Sequence, residues 1–239
     1  DPALRDVLRQ SCKTYASSPR VPLPDPRAAR ATPPFADVAA PADGPRSGDG
    51  DVDEAGSGAV DVGDLSRLLL WACGVPAAAP DASGRRLRAV PSADGLHPLE
   101  TYVIAADVDG LAPGIYHFNA WLHCLEALDP DTADGVRRRL DACLPLDEGA
   151  AGTASAALAV TATPARICAV HGDRGYRMLL AEAGGVGHAL HLGARALGLR
   201  AREVHSFFDA RLERLLEIDG VDEIAVGLHL LGTSPGDHR

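Results

Sequence analysis

The chain of 239 residues is long enough for one large domain or two small ones, and 46% of its residues are hydrophobic. A formal net charge of −10 argues against a nucleic acid or an anionic membrane surface as partner. The apolar runs are too short to cross a bilayer, and the five dispersed cysteines include no C-x-x-C pair. We therefore expect reduced thiols in a cytoplasmic protein.

Two cations and a hydroxyl lie close together near the start of the chain. Residues 3–10 have the apolar spacing of a short helix, and Arg9, Ser11 and Lys13 fall at its end. In an extended segment these three side chains point the same way, which suits a phosphate group. The alternative is a solvated basic turn. We refer to Arg9, Ser11 and Lys13 as the basic motif.

The next segment, residues 20–59, is rich in proline, glycine and acidic side chains and contains a single aromatic residue, Phe35. Such a segment buries too little apolar surface to offset its ordering entropy. We predict a flexible insertion within a single domain spanning residues 1–239. It is either a tolerated linker or an arm that docks a partner.

Helices and strands are predicted to be mixed after this insertion. A helix that is capped by Asp61 or Asp64 ends at Gly74, and a loop of small residues at 91–95, the Pro-Ser loop, precedes a strand. Turns are expected at Pro113 and Gly114 and at Asn119 and Ala120. The predicted strands are 99–105, 114–118, 122–128, 156–163 and 224–231, and the predicted later helices are 132–144, 175–197 and 209–216.

The helix at 175–197 contains an unusual number of small residues, among them Gly184, Gly185, Gly187 and Gly193. A helix tolerates so many glycines mainly where another backbone approaches it closely. We predict a buried central helix, for which a subunit interface is one suitable place. With antiparallel hairpins and no repeated βαβ unit, the fold class is α+β.

A metal site receives little support from the sequence. His188 and His191 lie three residues apart on the predicted helix and could act with Glu182 or His205, but no third ligand has convincing spacing. We therefore predict no metal.

Several segments resemble the FMN-dependent nitroreductase family. The basic motif followed by Tyr15 is similar to the family's phosphate-binding start. Residues 86–102 and 110–118 resemble one branch of this family, the SagB-type (McbC-like) dehydrogenases. These enzymes aromatise thiazolines and oxazolines in modified peptides. The similarity continues through Tyr176 and Arg177 and through Glu182, Ala183 and Gly184.

The resemblance implies a nitroreductase-like α+β fold with a mainly antiparallel sheet, and a homodimer that binds FMN at its interface, where the long helix lies. The basic motif would hold the phosphate. The backbone of Pro91, Ser92 and Ala93 would meet the isoalloxazine from the partner subunit. Ser206 and Phe207 would lie near the reactive edge of the flavin.

The chain departs from this branch at the position of its catalytic Lys-Tyr pair, where Val170 and His171 stand instead. Valine cannot accept a proton, whereas a histidine is mostly neutral at cellular pH and can. The resemblance therefore indicates His171 as candidate base, together with Tyr176 in the matched segment; alternatively His171 is an ordinary loop histidine.

Three functional hypotheses follow. The first is an FMN-dependent SagB-type dehydrogenase that acts on an azoline or a related bond in a peptide natural product, with or without a cyclodehydratase as partner. The second is a general NAD(P)H-dependent nitro- or quinone reductase. The third is a catalytically degenerate scaffold subunit of a peptide-modifying complex.

Overall fold

A central antiparallel sheet organises the computed structural model, which describes residues 12–27, 60–76, 87–145, 151 and 154–232. In these ranges the sheet has seven strands in the order β1-β6-β5-β3-β7-β9-β8, and every neighbouring pair is antiparallel. β2 and β4 form a separate parallel pair. The strands are β1 Arg20–Pro22, β2 Val60–Asp61, β3 Leu99–Ala105, β4 Val108–Asp109, β5 Gly114–Asn119, β6 Cys124–Pro130, β7 Ala156–Ala162, β8 Ala201–Val204 and β9 Ile224–Leu231.

Five helices cover the two faces of the sheet in the described part of the chain. They are α1 Val62–Ala72, α2 Ala133–Asp141, α3 Pro164–His171, α4 Arg174–Ala196 and α5 Asp209–Leu215. α1, α3 and α4 pack on one face around a core that includes Leu68, Val103 and Leu190. α2 and α5 pack on the other face around Leu140 and Leu212. The α+β class predicted from the sequence, with an antiparallel sheet between helices, is confirmed.

Local signals account for most of these boundaries. The Asp61 side chain accepts a hydrogen bond from the Asp64 amide at the start of α1, and Thr132 caps α2 in the same way through the Gly135 amide. Asn119 closes the predicted turn by accepting hydrogen bonds from the amides of Trp121 and Leu122. β7 is buried along its whole length between β3 and β9, as its continuous apolar sequence predicts.

Two local predictions are wrong. The insertion does not begin at Arg20, because Arg20–Pro22 pairs with β6 as an edge strand of the sheet; residues 28–59 lie outside the described ranges. Gly114 is the first residue of β5 rather than part of a type II turn, and the chain reverses around Gly110. A Cβ at Gly114 would lie 2.8 Å from the Asp129 carbonyl oxygen, so the glycine permits close strand pairing.

The long helix α4 has one buried and one exposed face. Leu179, Val186 and Leu190 face the core, and a Cβ at Gly193 would lie 2.8 Å from Leu68 Cδ1 of α1. The opposite face is open in the single chain, where Tyr176 and Leu180 keep 46% and 44% of their surface exposed. Gly193 therefore allows close packing on the core side, whereas Gly184 is exposed on the open side, with no atom within 4 Å of a Cβ built on it. A subunit interface on the open side stays a prediction.

The described residues contain no helix whose length and hydropathy would let it cross a membrane. Each of the five cysteines, all within the described ranges, is a free thiol. The N-terminal helix predicted at residues 3–10, together with Arg9 and Ser11, lies outside the described residues.

Candidate active site

The Pro-Ser loop has a tightly wound backbone. Ala93–Gly95 forms a single 3-10 turn in which the Gly95 amide donates to the Ser92 carbonyl over 3.0 Å. The His97 amide donates to Ser92 Oγ over 2.9 Å. Asp94 adopts a φ of 50°, a left-handed conformation that an aspartate tolerates better than most residues. Neither of these bonds uses the amides of Ser92 and Ala93.

Helices α3 and α4 hold this loop from the side. His171, the last residue of α3, places Nε2 3.1 Å from Asp94 Oδ2. A Cβ at Gly185 of α4 would lie 3.1 Å from Val90 Cγ1, so the segment leading into the loop lies directly on α4. Two features that the sequence singles out independently, the Pro-Ser loop and His171, are thus in contact. Tyr176 is in the first turn of α4, where its side chain is exposed.

Glu182 is a further candidate that the sequence analysis did not assign to the flavin site. Glu182 is buried on α4, and its carboxyl group is hydrogen-bonded to Ser92. Its Oε2 atom has no hydrogen-bond partner. Burial raises the pKa of Glu182 to about 7, although Ser92 and the charge of Arg88 lower it. The signal in the sequence is a carboxylate at a position where the helical repeat, with Leu179 and Val186, favours an apolar residue.

The raised pKa of Glu182 predicts that the free energy of unfolding depends on pH. Between about pH 4.5 and about pH 7, folded Glu182 keeps a proton that the unfolded chain has released, so the free energy of unfolding falls as pH rises. The free energy of unfolding of the wild-type protein should fall by on the order of 2–3 kcal/mol between about pH 5 and about pH 8, and Glu182→Gln should abolish this fall. Urea unfolding at both pH values measures it. The exposed carboxylate of Glu217 provides the control, Glu217→Gln, and an unchanged pH response in Glu182→Gln would contradict the prediction.

Lys13 is the residue of the basic motif that the structure describes. Its Nζ donates to Glu223 Oε2 over 2.7 Å and to the Tyr102 hydroxyl over 2.8 Å. Burial alone would lower the pKa of Lys13, but its hydrogen bond and ion pair with Glu223 outweigh this, so the pKa is raised. Glu223 also accepts hydrogen bonds from the hydroxyls of Tyr102 and Thr161. The ammonium group is therefore cationic and anchored to the sheet, and the Lys13 side chain as a whole is 29% exposed.

Glu100 connects this region to the start of the Pro-Ser loop. Its carboxylate accepts hydrogen bonds from the Lys13 amide and from Arg166, and it lies 3.5 Å from Arg88 Nη2. Burial alone would raise the pKa of Glu100, but the charges of Arg88 and Arg166 and the nearby His117 ring, whose Nε2 lies 3.5 Å from Glu100 Oε2, hold it below its ordinary value. A buried carboxylate that accepts several hydrogen bonds is held firmly in place. Glu100 therefore fixes the positions of Lys13 and Arg88 relative to the sheet.

Ser206 and Phe207 follow β8. Ser206 is exposed, whereas Phe207 is partly buried and packs against the core between the sheet and helices α2 and α5. The next amide, that of Phe208, donates to the Cys143 carbonyl over 2.8 Å. Packing and this hydrogen bond hold the loop against the end of α2.

The predicted site residues thus fall into two groups on opposite faces of the sheet. Lys13 and Phe207 lie on the face that carries α2 and α5. The Pro-Ser loop, His171 and Tyr176 lie with α3 and α4 on the other face.

The residues present fit FMN. The Pro-Ser loop offers small side chains and two amides outside its internal hydrogen bonds, and the unpartnered Glu182 Oε2 lies beside it. A flat ring can approach such a backbone closely. Lys13 supplies a partly exposed cation for an anionic group, although Glu223 already shares it.

Comparison with known proteins agrees with this geometry. The sequence profile of the nitroreductase family matches residues 57–233. A putative nitroreductase of Methanocaldococcus jannaschii is 31% identical over 156 residues, which cover 65% of this chain and 73% of that protein. The trifolitoxin-processing protein TfxB of Rhizobium leguminosarum bv. trifolii is 28% identical over 160 residues, which cover 66% of this chain and 43% of TfxB.

A solved structure shares the fold. A chain of the E. coli microcin synthetase McbBCD complex superimposes with a TM-score of 0.64 at 19% identity, covering 98% of this chain and 94% of that one. The fold and the profile match define an oxidoreductase class, and the chain belongs to the nitroreductase family. Because that family is FMN-dependent, FMN is the cofactor.

Proposed function

We propose that this protein is an FMN-dependent dehydrogenase of the SagB type, which oxidises a thiazoline or oxazoline in a peptide natural product to the corresponding azole. The observation that carries the proposal is the contact of His171 with Asp94 of the Pro-Ser loop. It places a proton acceptor beside the backbone that is proposed to meet the flavin ring. The similarity to TfxB, a protein named for processing trifolitoxin, supports a peptide substrate.

In this proposal His171 is the general base. In the tautomer that carries its hydrogen on Nε2, the nitrogen beside the Asp94 carboxylate, the lone pair is on Nδ1 and can accept the proton from the azoline ring carbon. The chemistry that FMN supplies when bound is two-electron oxidation, by accepting hydride from the substrate, with dioxygen as final acceptor. Tyr176 lies exposed near the start of α4, where it can contact the peptide.

The complete site would need two chains. Lys13 with Arg9 and Ser11 of one subunit would hold the phosphate, and Pro91, Ser92 and Ala93 of the other would face the ring. The open face of α4, with Tyr176 and Leu180, offers apolar surface for such a homodimer. A cyclodehydratase that supplies the azoline is the expected functional partner.

The second candidate is a general NAD(P)H-dependent nitro- or quinone reductase. It is favoured by the similarity to the M. jannaschii protein, which carries the nitroreductase name and is matched over 73% of its length. This activity would use the same cofactor and would not need His171 as a base.

One anaerobic experiment separates the two. The purified flavoprotein is mixed in a stopped-flow instrument with a thiazoline-containing peptide or with NAD(P)H, and the flavin absorbance is followed. Bleaching by the peptide, with loss of two hydrogens in its mass spectrum, supports the dehydrogenase. Bleaching by NAD(P)H alone supports the reductase. If neither substrate bleaches the flavin, both enzymatic assignments fail and the scaffold hypothesis is favoured.

A further inference from the structure

Three potential metal ligands from three different elements converge near the β8 edge of the sheet. His191 comes from α4, Glu203 from β8 and His229 from β9, and one ligand atom of each lies within 4.8 Å of the others. Glu203 and His229 are directly paired across the two strands. The rings of His191 and His229 meet edge to face with centroids 5.9 Å apart. Sheet pairing and helix packing therefore hold the three side chains together.

The two imidazoles are incompletely satisfied by the protein. His229 is only 1% exposed, and its Nδ1 atom has no hydrogen-bond partner. The Nε2 atom of His191 also has no hydrogen-bond partner. A buried polar atom without a partner costs about 1–3 kcal/mol, so such atoms usually have a ligand or water.

Gly187 keeps space open among the three side chains. It lies one helical turn before His191, where its backbone faces His229. A Cβ at this position would lie 2.9 Å from His229 Cε1 and 3.5 Å from both His229 Nε2 and Glu203 Oε1. Any larger residue would intrude between the carboxylate and the imidazole.

We propose that His191, Glu203 and His229 bind a divalent transition metal, with Zn²⁺ as the best fit. Two imidazole nitrogens and one carboxylate oxygen are an established zinc ligand set, and water can fill the fourth position. Glu203 is exposed, which gives the ion a path from solvent. The metal would tie edge strand β8, and so the start of the loop at Ser206, to helix α4. This role is separate from flavin chemistry.

Metal binding can be measured on the full-length flavoprotein. The protein is stripped with EDTA and titrated with Zn²⁺ against a chromogenic chelator. We expect one Zn²⁺ per chain and a higher thermal midpoint in its presence. His191→Ala and Glu203→Gln should each weaken binding at least about tenfold, since even changes to groups behind a ligand cost that much. The matched control is His188→Ala, which removes an exposed imidazole from the same helix and should bind zinc normally.

A second readout does not depend on stability. Co²⁺ in place of Zn²⁺ should give visible absorption bands at wavelengths beyond those of the flavin, and Gly187→Ala should abolish or shift them without removing a ligand. Less than stoichiometric zinc binding by the wild-type protein would overturn the proposal. So would unchanged zinc affinity in His191→Ala. Flavin absorbance, recorded in the same samples, reports separately on the proposed oxidoreductase site.

Discussion

Replacing His171 with alanine is expected to lower the rate of azoline oxidation by about 10²–10⁴-fold while FMN stays bound, because a positioned base contributes about that factor. The imidazole lies at the end of α3 with Nε2 3.1 Å from Asp94 Oδ2. The loop backbone has its own hydrogen bonds through Ser92, so we expect it to stay in place when the imidazole is removed. Single-turnover kinetics with a thiazoline peptide measure the rate, and the flavin spectrum measures cofactor occupancy.

His188→Ala is the control for this experiment, because it removes an exposed histidine from α4. Asp94→Asn tests positioning: it should lower kcat less than His171→Ala and leave KM nearly unchanged, since the amide keeps a polar oxygen beside the imidazole but removes the negative charge. Full activity in His171→Ala would remove this residue as the base. Unchanged reduction by NAD(P)H in the same variant would show that the flavin itself is intact.

Removing both cations of the basic motif is expected to weaken FMN binding by about 10²–10⁴-fold. Each charge-assisted hydrogen bond to a phosphate contributes about 1.5–3 kcal/mol, and Arg9→Ala with Lys13→Ala removes two of them. Fluorescence titration of the apoprotein with FMN measures the change. Arg20→Ala is a matched control, because Arg20 is an exposed cation of the same N-terminal region whose nearest carboxylate is 3.7 Å away.

The Lys13 contacts require one further variant. Lys13 also neutralises Glu223, so Lys13→Ala alone leaves a largely buried carboxylate without its cation. Lys13→Ala combined with Glu223→Gln removes that charge, and it should restore thermal stability but not FMN affinity. If it restores FMN affinity as well, the effect of Lys13 on the cofactor is structural. Unchanged FMN binding in the Arg9 and Lys13 double variant would place the phosphate elsewhere.

The placement of the candidate residues on two faces has a consequence for the assembly. Lys13 and Arg88, which precedes the Pro-Ser loop, both contact Glu100, yet Lys13 reaches Tyr102 on the face of α2 and α5, whereas Ala93 of the loop packs with α3 and α4 on the other face. In the proposed homodimer each loop would serve the cofactor held by the other chain, so the two groups need not meet within one chain.

Local sequence patterns by themselves determined much of the fold. The strands at 99–105 and 224–231 have the bounds that the sequence predicts, and α1, α4 and the buried central strand β7 lie within a few residues of theirs. These elements are defined by helix caps and apolar periodicity, which act over a few residues. The Pro-Ser loop and His171 could be singled out because they belong to motifs contiguous in sequence.

Tertiary structure alone decided which distant residues meet. Lys13 and Glu223 are 210 positions apart, and β1 pairs with β6 although the insertion, α1 and four strands lie between them in the chain. His191, Glu203 and His229 come together only through the β8–β9 register and the packing of α4 on the sheet. Periodicity tells which face a residue occupies but not what lies opposite, because strand register and helix packing depend on the whole core.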